Sequence, residues 1–585
     1  MRKLKKFIAA VVIAVPLLTP IANAADNPPR KILTGWIPYY SMKTALPDAL
    51  NNSDLIKEVM PFWYTLKFDA KAKAAVVTDL YTPANPSVPI SEPLAALHNA
   101  GYSIIPTITD GTDKLVLAGL LKTPASRAQV ISSITNLVSA NNYDGIDLDF
   151  EGFAFVDGNT SWASTAPAWV TFVKELSTAL HAQNKLLSIS TPYVLNPNDA
   201  QKGYYVYAWG AIAASIDKLR IMTYDYSVAN AGPLGPITWA ERTVQYAVSI
   251  MPASKIFVGV PGYGRDWVTA VSGVCPSNVA NTVKVGAKAA TFVMRDAASL
   301  AATYGATPVY NDQFAEMTFA YQKVYNGVTD SGLSTSCTAS RTAWYQDAKS
   351  WAERASLVTK YRIGGITAWT FGMEEPLAME SIRQVAKDIA PDQVSATSSI
   401  DKTAVDYGNP IVVSGALTIK DKSPVANVTV RIEGKSGTDP NYRLLATATT
   451  AADGTFQKPL IIGKTTSVRI HTDGTWERSE GISADIPVTI SRLLTLTAPG
   501  TAKSGEAITI SGIVRPRIAG TYVQVESLVA GSWKELGQPI TTDAQGAFVI
   551  TIPGTPRSIL TLRATVAADA LWTVVTSPTF NIIIR

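Results

Sequence analysis

Tyr143-Asp144-Gly145-Ile146-Asp147-Leu148-Asp149-Phe150-Glu151-Gly152 is the stretch on which the reading of this chain turns. Side chains on a β-strand point alternately to opposite faces. Ile146, Leu148 and Phe150 therefore share one face, and Asp147, Asp149 and Glu151 share the other. Apolar residues at helical spacing precede the stretch (Val130, Ile134, Leu137 and Val138, with Ser126 as the expected N-cap). Others follow it (Trp169, Phe172, Val173, Leu176 and Leu180, with Pro167 expected in the first turn). A strand bracketed by helices is a central strand, and its apolar face packs against them. The acidic face then turns toward the inside of a closed sheet.

Working outward, the strand candidates are Ile32–Ile37, Glu58–Leu66, Ser103–Ile108, Gly145–Phe150, Leu186–Thr191, Lys218–Tyr224, Lys255–Val260 and Ile363–Trp369. Most are near-continuous apolar runs, the signature of strands buried on both faces. Helical patterns separate them; one opens at Thr238 and Glu241, which have the spacing of a capping box. Eight such units predict an α/β fold, a (β/α)8 TIM barrel over residues 25–390. An open doubly wound sheet is the alternative, but no G-x-G-x-x-G turn follows the first strand. A small α+β insertion is expected after strand seven, at about 267–342, where it would wall the mouth of the barrel. It carries both cysteines, Cys275 and Cys337, which an exported chain is expected to join as a disulfide.

Past Ala390 the texture changes. Residues 391–402 are rich in Ser, Thr, Ala and Asp and read as a linker. Beyond them the alternation has period two and repeats itself. VVSG ending at Gly415 parallels TISG ending at Gly512, TTAADGTF ending at Phe456 parallels TTDAQGAF ending at Phe548, and Trp476 parallels Trp572. Two Ig-like β-sandwiches, 403–490 and 491–585, are expected. The paired tryptophans are expected either in the sandwich cores or on a surface that attaches the protein to a polymer or cell wall.

Three carboxylates in one inward row cannot all ionise cheaply, so at least one must hold its proton to higher pH. A carboxylic acid that stays protonated near neutral pH is what general-acid catalysis requires. Glu151, nearest the mouth, is the natural donor. A calcium loop also spaces its Asp residues, but with glycine and polar spacers, and here the spacers are Ile, Leu and Phe.

D-G-x-D-x-D-x-E from Asp144 to Glu151 resembles the fourth-strand signature of glycoside hydrolase family 18. The resemblance continues in Met222-Thr223-Tyr224-Asp225, in Gly365-Ile366-Thr367-Ala368-Trp369 and in Trp344-Tyr345-Gln346-Asp347. It covers about Ile32 to Ala390 and leaves out the tail. It implies a retaining, substrate-assisted hydrolysis of β-1,4 linkages in a polysaccharide containing N-acetylglucosamine. Glu151 would protonate the glycosidic oxygen. The substrate's own acetamido oxygen would attack the anomeric carbon, with Asp149 holding the acetamido N–H. Asp147 would share a proton with Asp149. Tyr224 would bond the acetamido carbonyl, Asp225 would contact the sugar or tune Glu151, and Trp369 would stack under the ring. Asp144 and Met222 enter as substrate-side candidates through the same motifs.

The third strand reads Ile105-Pro106-Thr107-Ile108-Thr109-Asp110-Gly111 where chitinases of this family usually carry S-x-G-G. The run from Met222 to Trp267 is most similar to a bacterial subgroup with spore-cortex and peptidoglycan lysins. Chitin or chitooligosaccharide is thus the first expectation. Peptidoglycan, or a non-catalytic carbohydrate-binding barrel, is the alternative. Trp36, Tyr39, Tyr40, Trp63, Tyr64 and Tyr263 fall at or just past strand ends and are candidates to stack on sugars. Barrel packing is the other reading of each. Arg265 and Asp266 would bond the substrate or order a loop.

Composition fits a folded, exported protein. Hydrophobic residues make up 47% and charged residues 17%, which excludes a disordered chain. The net charge of +5 falls to +1 once Arg2, Lys3, Lys5 and Lys6 are set aside, so no nucleic-acid partner is expected. Those cations head an apolar stretch ending in Ala22-Asn23-Ala24, the order of a secretory signal peptide spanning residues 1–24. A secreted, extracellular location follows, with cell-wall association open and no membrane partner after cleavage. Two cysteines and three scattered histidines build no metal site, and no cofactor is expected.

Overall fold

The computed structural model describes residues 27–585 apart from 72, 197 and 438. The leader and its cleavage point lie outside the described residues. Eight parallel strands form the barrel: β1 (Leu33–Pro38), β2 (Ile56–Asp69), β3 (Thr107–Asp110), β4 (Gly145–Asp149), β5 (Leu186–Pro192), β6 (Lys218–Met222), β7 (Ile256–Pro261) and β8 (Gly365–Trp369). They pair in chain order, and β1 pairs with both β8 and β2, which closes the cylinder. The register sets Thr107 beside Asp147 and Thr109 beside Asp149, with Ser188 beside Asp147 on the other side.

The strands match the sequence pattern, with local differences. The expected third strand, Ser103–Ile108, is split into Ser103–Ile104 and β3 at Ile105-Pro106. Pro106 has no N–H to give a ladder. β2 runs past the barrel rim and folds back on an antiparallel arm, Ala74–Asp79. The helix before β4 is capped by Thr123, whose hydroxyl accepts from Ser126 N, so Ser126 is not the cap. Pro167 lies inside helix Trp162–His181 and not in its first turn. Helix Ile237–Ile250 starts after Pro236 with no side-chain cap, so Thr238 forms no capping box.

The insertion begins at Tyr263 and ends at Tyr345, somewhat wider than its expected bounds. Its sheet runs Ala290–Val293, Tyr263–Gly273, Ser334–Tyr345, Glu316–Val328, Val309–Asn311 in spatial order. Cys275 and Cys337 are joined as a disulfide, as expected. A fully buried ion pair, Arg354 to Glu316 at 3.1 Å, bolts the insertion to the last barrel helices. Glu316 also accepts from the backbone N–H groups of Leu234 and Gly235, at 2.6 and 2.8 Å.

Each half of the tail pairs a three-stranded sheet with a larger one, in the same strand order. The segment read as a linker is ordered: Ser395–Ile400 is a strand of the first sandwich and pairs with Pro410–Thr418. Neither repeated tryptophan lies in the core of its own sandwich. Trp476 packs against the barrel core, with the guanidinium of Arg30 4.1 Å and that of Arg362 5.4 Å from its ring centre. Trp572 packs against the first sandwich, under Arg492 at 4.7 Å, and donates its indole N–H to the Gly463 carbonyl at 2.9 Å. Both are joints between consecutive domains. No described helix is long and apolar enough to cross a membrane.

Candidate active site

Alternation along β4 sends Ile146 and Leu148 outward, fully buried under the helices, and Asp147 and Asp149 inward. Glu151 follows at the C-terminal rim. A cavity of about 280 Å³ opens there, lined by Trp36, Phe62, Thr109, Asp110, Asp149, Glu151, Met222, Tyr224, Asp225, Tyr263 and Trp369. The edges of Trp36 and Phe62 meet Trp369 with ring centres 5.5 and 5.0 Å apart, an arrangement that fixes the indole plane. Two glycines are needed for close approach. A Cβ on Gly152 would lie 2.3 Å from Asp110 Oδ2, and one on Gly259 would lie 2.8 Å from the Tyr224 ring.

The carboxylates differ in their surroundings. Burial, followed by the charge of Asp225, pushes Glu151 up to about 7. Burial, followed by the charges of Glu151 and Asp147, raises Asp149 well above the ordinary carboxylate range. Asp149 Oδ1 is buried without a hydrogen-bond partner among the described residues. Asp225 adopts a left-handed backbone (φ 58°) that a short polar side chain tolerates. Its Oδ1 accepts from the Tyr263 hydroxyl at 2.5 Å and from Arg265 Nε at 2.8 Å. Burial holds the Tyr224 phenol far above its usual range, so its hydroxyl stays a donor.

Asp147 lies beneath the cavity with both oxygens occupied by hydroxyls. Oδ1 receives Ser188 at 2.6 Å and Ser190 at 3.0 Å, and Oδ2 receives Thr107 at 2.8 Å. Among the described residues no hydrogen bond joins Asp147 to Asp149, so the proton sharing expected between them is not formed in this arrangement.

The structure therefore brings together Asp149, Glu151, Met222, Tyr224, Asp225, Tyr263, Trp36 and Trp369. It separates three other candidates. Asp144 sits at the far end of β4, where its Oδ2 accepts from Ile104 N at 2.8 Å and ties two strand starts together. Trp63 points outward, fully buried, with its ring centre 4.7 Å from that of Tyr81. Tyr40 is largely exposed beside Tyr39 and does not line the cavity. Tyr64, also considered, is tied outside the barrel to the Tyr143 hydroxyl at 2.6 Å.

Phe62, Thr109 and Asp110 were missed. Extending the alternation of β2 from inward Glu58 to Phe62 would have found the first. Asp110 is held by Thr112, whose N–H and hydroxyl reach its Oδ1 at 3.0 and 2.7 Å.

The barrel region is similar to known proteins. The profile described as glycosyl hydrolases family 18 matches residues 91–374. A Bacillus subtilis (strain 168) protein named as a sporulation-specific glycosylase, YdhD, is 27% identical over 252 residues, 43% of this chain and 52% of its own length. The cortical fragment-lytic enzyme of Bacillus anthracis is 27% identical over 251 residues, 42% of this chain and 50% of its own. The chain thus spans about half the length of each of these relatives. A crystal structure of a chitinase from Chromobacterium violaceum ATCC 12472 aligns at TM-score 0.47 and 23% identity, over 61% of this chain and 98% of that one. Over residues 91–374 the barrel that carries the acidic row thus matches the glycosyl hydrolases of family 18.

Proposed function

We propose that this protein is a retaining glycoside hydrolase that cleaves β-1,4 linkages in polysaccharides containing N-acetylglucosamine, with Glu151 as the general acid. The observation that carries the reading is the inward row on β4, which ends in a carboxyl pushed up to about 7 at the edge of an aromatic-walled cavity. A group with that affinity for protons is protonated at the start of the reaction and able to release its proton during it.

In the proposed cycle Glu151 gives its proton to the glycosidic oxygen as that bond breaks. The acetamido carbonyl oxygen of the same sugar closes onto the anomeric carbon, making an oxazolinium intermediate. The acetamido N–H supplies the donor that Asp149 Oδ1 lacks. The Tyr224 hydroxyl steadies the acetamido carbonyl, Asp225 bears on Glu151, and Trp369 supports the sugar ring. Glu151, now a carboxylate, takes a proton from the water that opens the intermediate on the same face. Configuration is retained, and no protein carboxylate bonds to the sugar.

Chitin or chitooligosaccharide is the first substrate class. Bacterial cell-wall glycan is the second, favoured by the similarity to a cortical fragment-lytic enzyme. We also infer export, from the order of charges and small residues in the leader. The test is incubation of the full chain with N-acetylglucosamine oligomers and with peptidoglycan, beside Glu151→Gln. Early product read by NMR should be the β-anomer. Equal product release by the variant would remove Glu151 from the reaction, and no release from either polymer would leave a binding protein.

A further inference from the structure

The barrel floor carries a buried cation that the proposed chemistry does not use. β6 alternates so that Lys218, Arg220 and Met222 face inward. Met222 lines the cavity and Arg220 lies below it, with none of its side chain exposed. Its three nitrogens are all committed. NH2 meets Glu58 Oε1 at 2.6 Å, NH1 donates to Thr34 Oγ1 at 2.9 Å, and Nε donates to Ser188 Oγ at 3.0 Å. Nε is also 3.8 Å from Asp147 Oδ1.

These contacts surround Asp147 with donors. A guanidinium N–H can only donate, so Ser188 accepts from Arg220 and keeps its own hydrogen for Asp147 Oδ1 at 2.6 Å. An indole N–H can only donate as well. Trp36 Nε1 donates to Thr107 Oγ1 at 3.0 Å, and Thr107 keeps its hydrogen for Asp147 Oδ2 at 2.8 Å. Ser190 adds a donor within reach of both oxygens, at 3.0 and 2.9 Å. Three hydroxyls able to donate and a guanidinium charge surround the two oxygens, an environment that favours the carboxylate.

We propose that Arg220 is a positioning residue that, through Ser188 and its own charge, holds Asp147 as the carboxylate, so that the movable protons of the acidic row reside on Asp149 and Glu151. The inference rests on the hydrolase reading for its catalytic consequence and on the donor chain for its geometry. The charged groups facing Asp147 are Arg220 and Asp149. Behind Arg220 stands Glu58, whose other oxygen is 3.5 Å from Lys218. Burial works against ionisation of Glu58, but Arg220 and Lys218 outweigh it and hold Glu58 below its ordinary value. Arg220 thus stands between two carboxylates, and removing either one leaves more of its charge for the other.

That arrangement gives two variants with opposite expected signs. Arg220→Met removes the cation, so the acid limb of the kcat/KM profile on a chromogenic N-acetylglucosamine oligomer should move up by about one pH unit or more, with kcat falling more than KM changes. Glu58→Gln frees Arg220 for Asp147, so the limb should move down. Arg220→Lys should return most of the wild-type limb. If the Arg220 and Glu58 variants do not fold, Ser188→Ala, which removes the relay hydroxyl alone, should shift the limb upward. Lower activity with an unmoved limb, or shifts of the same sign in Arg220→Met and Glu58→Gln, would overturn the proposal. Difference potentiometric titration of wild type against Arg220→Met, or against Ser188→Ala, reads the same point without turnover. The variant should bind additional protons in the acid range. A wild type that hydrolyses nothing would defeat the hydrolase reading and leave this proton count standing, whereas identical titration curves would defeat the Arg220 assignment alone.

Discussion

Charge is covered in two regions of this protein and handled differently in each. Inside the barrel, Arg220, Glu58 and Asp147 are buried, with Arg220 paired directly to Glu58 and reaching Asp147 through the Ser188 hydroxyl. At the domain joints, Arg30, Arg362 and Arg492 lie against indole faces, and Arg362 and Arg492 also pair with Glu477 and Asp569. The first kind of site couples its members, because in a low-dielectric interior each charge sets the proton affinity of the next. The second kind adds contact area, a modest attraction between cation and ring, and ion pairs to Glu477 and Asp569, all of it away from the acidic row. The comparison separates residues whose replacement should change chemistry from those whose replacement should change only how the domains hold together.

The largest effect expected is on the chemical side. Glu151→Gln should lower kcat on N-acetylglucosamine oligomers by about 10²–10⁴-fold, the usual worth of a general acid, with the melting curve showing an intact barrel. Next is Glu316→Ala, which strands buried Arg354. The expected loss is about 3–5 kcal/mol in denaturant unfolding, because an unpaired buried charge is left behind. If the loss is only that of a surface pair, the insertion is not bolted to the barrel as described.

Trp476→Ala is expected to cost about 2 kcal/mol, from two cation–π contacts and lost burial. In calorimetry it should uncouple melting of the tail from that of the barrel, and hydrolysis of soluble oligomers should be unchanged. Trp572→Ala should free the second sandwich alone. A change of pH profile in either tryptophan variant would erase the distinction between the two regions.

The gentlest effect is on wild type. In the proposed cycle Glu151 must carry its proton to react, so the rate should fall about tenfold, or ~1.4 kcal/mol, for each pH unit above about 7. The same raised affinity has a stability consequence. From the ordinary carboxylate range up to about 7, the folded chain holds a proton that the unfolded chain has released. Stability from this group is therefore full at lower pH and declines as pH rises through that window. Glu151→Gln should flatten that decline in thermal melts.

Much of this was legible in the sequence because period two and period 3.6 leave different marks. β4 shows its inward acids and outward Ile146 and Leu148 without any tertiary knowledge. The same logic, carried along β2, separates Phe62 from Trp63, and along β6 it turns Arg220 inward. Asp144 misled because it belongs to the motif yet sits at the opposite end of the strand, tying it to Ile104. The joints were not legible. Trp476 and Trp572 repeat because they make equivalent contacts with whatever domain precedes them, and a local pattern carries no trace of a surface contributed by residues as distant as Arg30. The strand at Ser395–Ile400 hid for a related reason, since its small polar residues resemble a spacer and only its pairing with Pro410–Thr418 reveals it.

Arg30 precedes β1 and Arg362 precedes β8, so the Trp476 joint lies on the barrel floor, at the opposite pole from Glu151. A glycan strand crossing the rim thus has free passage on the side away from the sandwiches. The catalytic opening and the tail leave the barrel at opposite poles, like a lamp and its bracket.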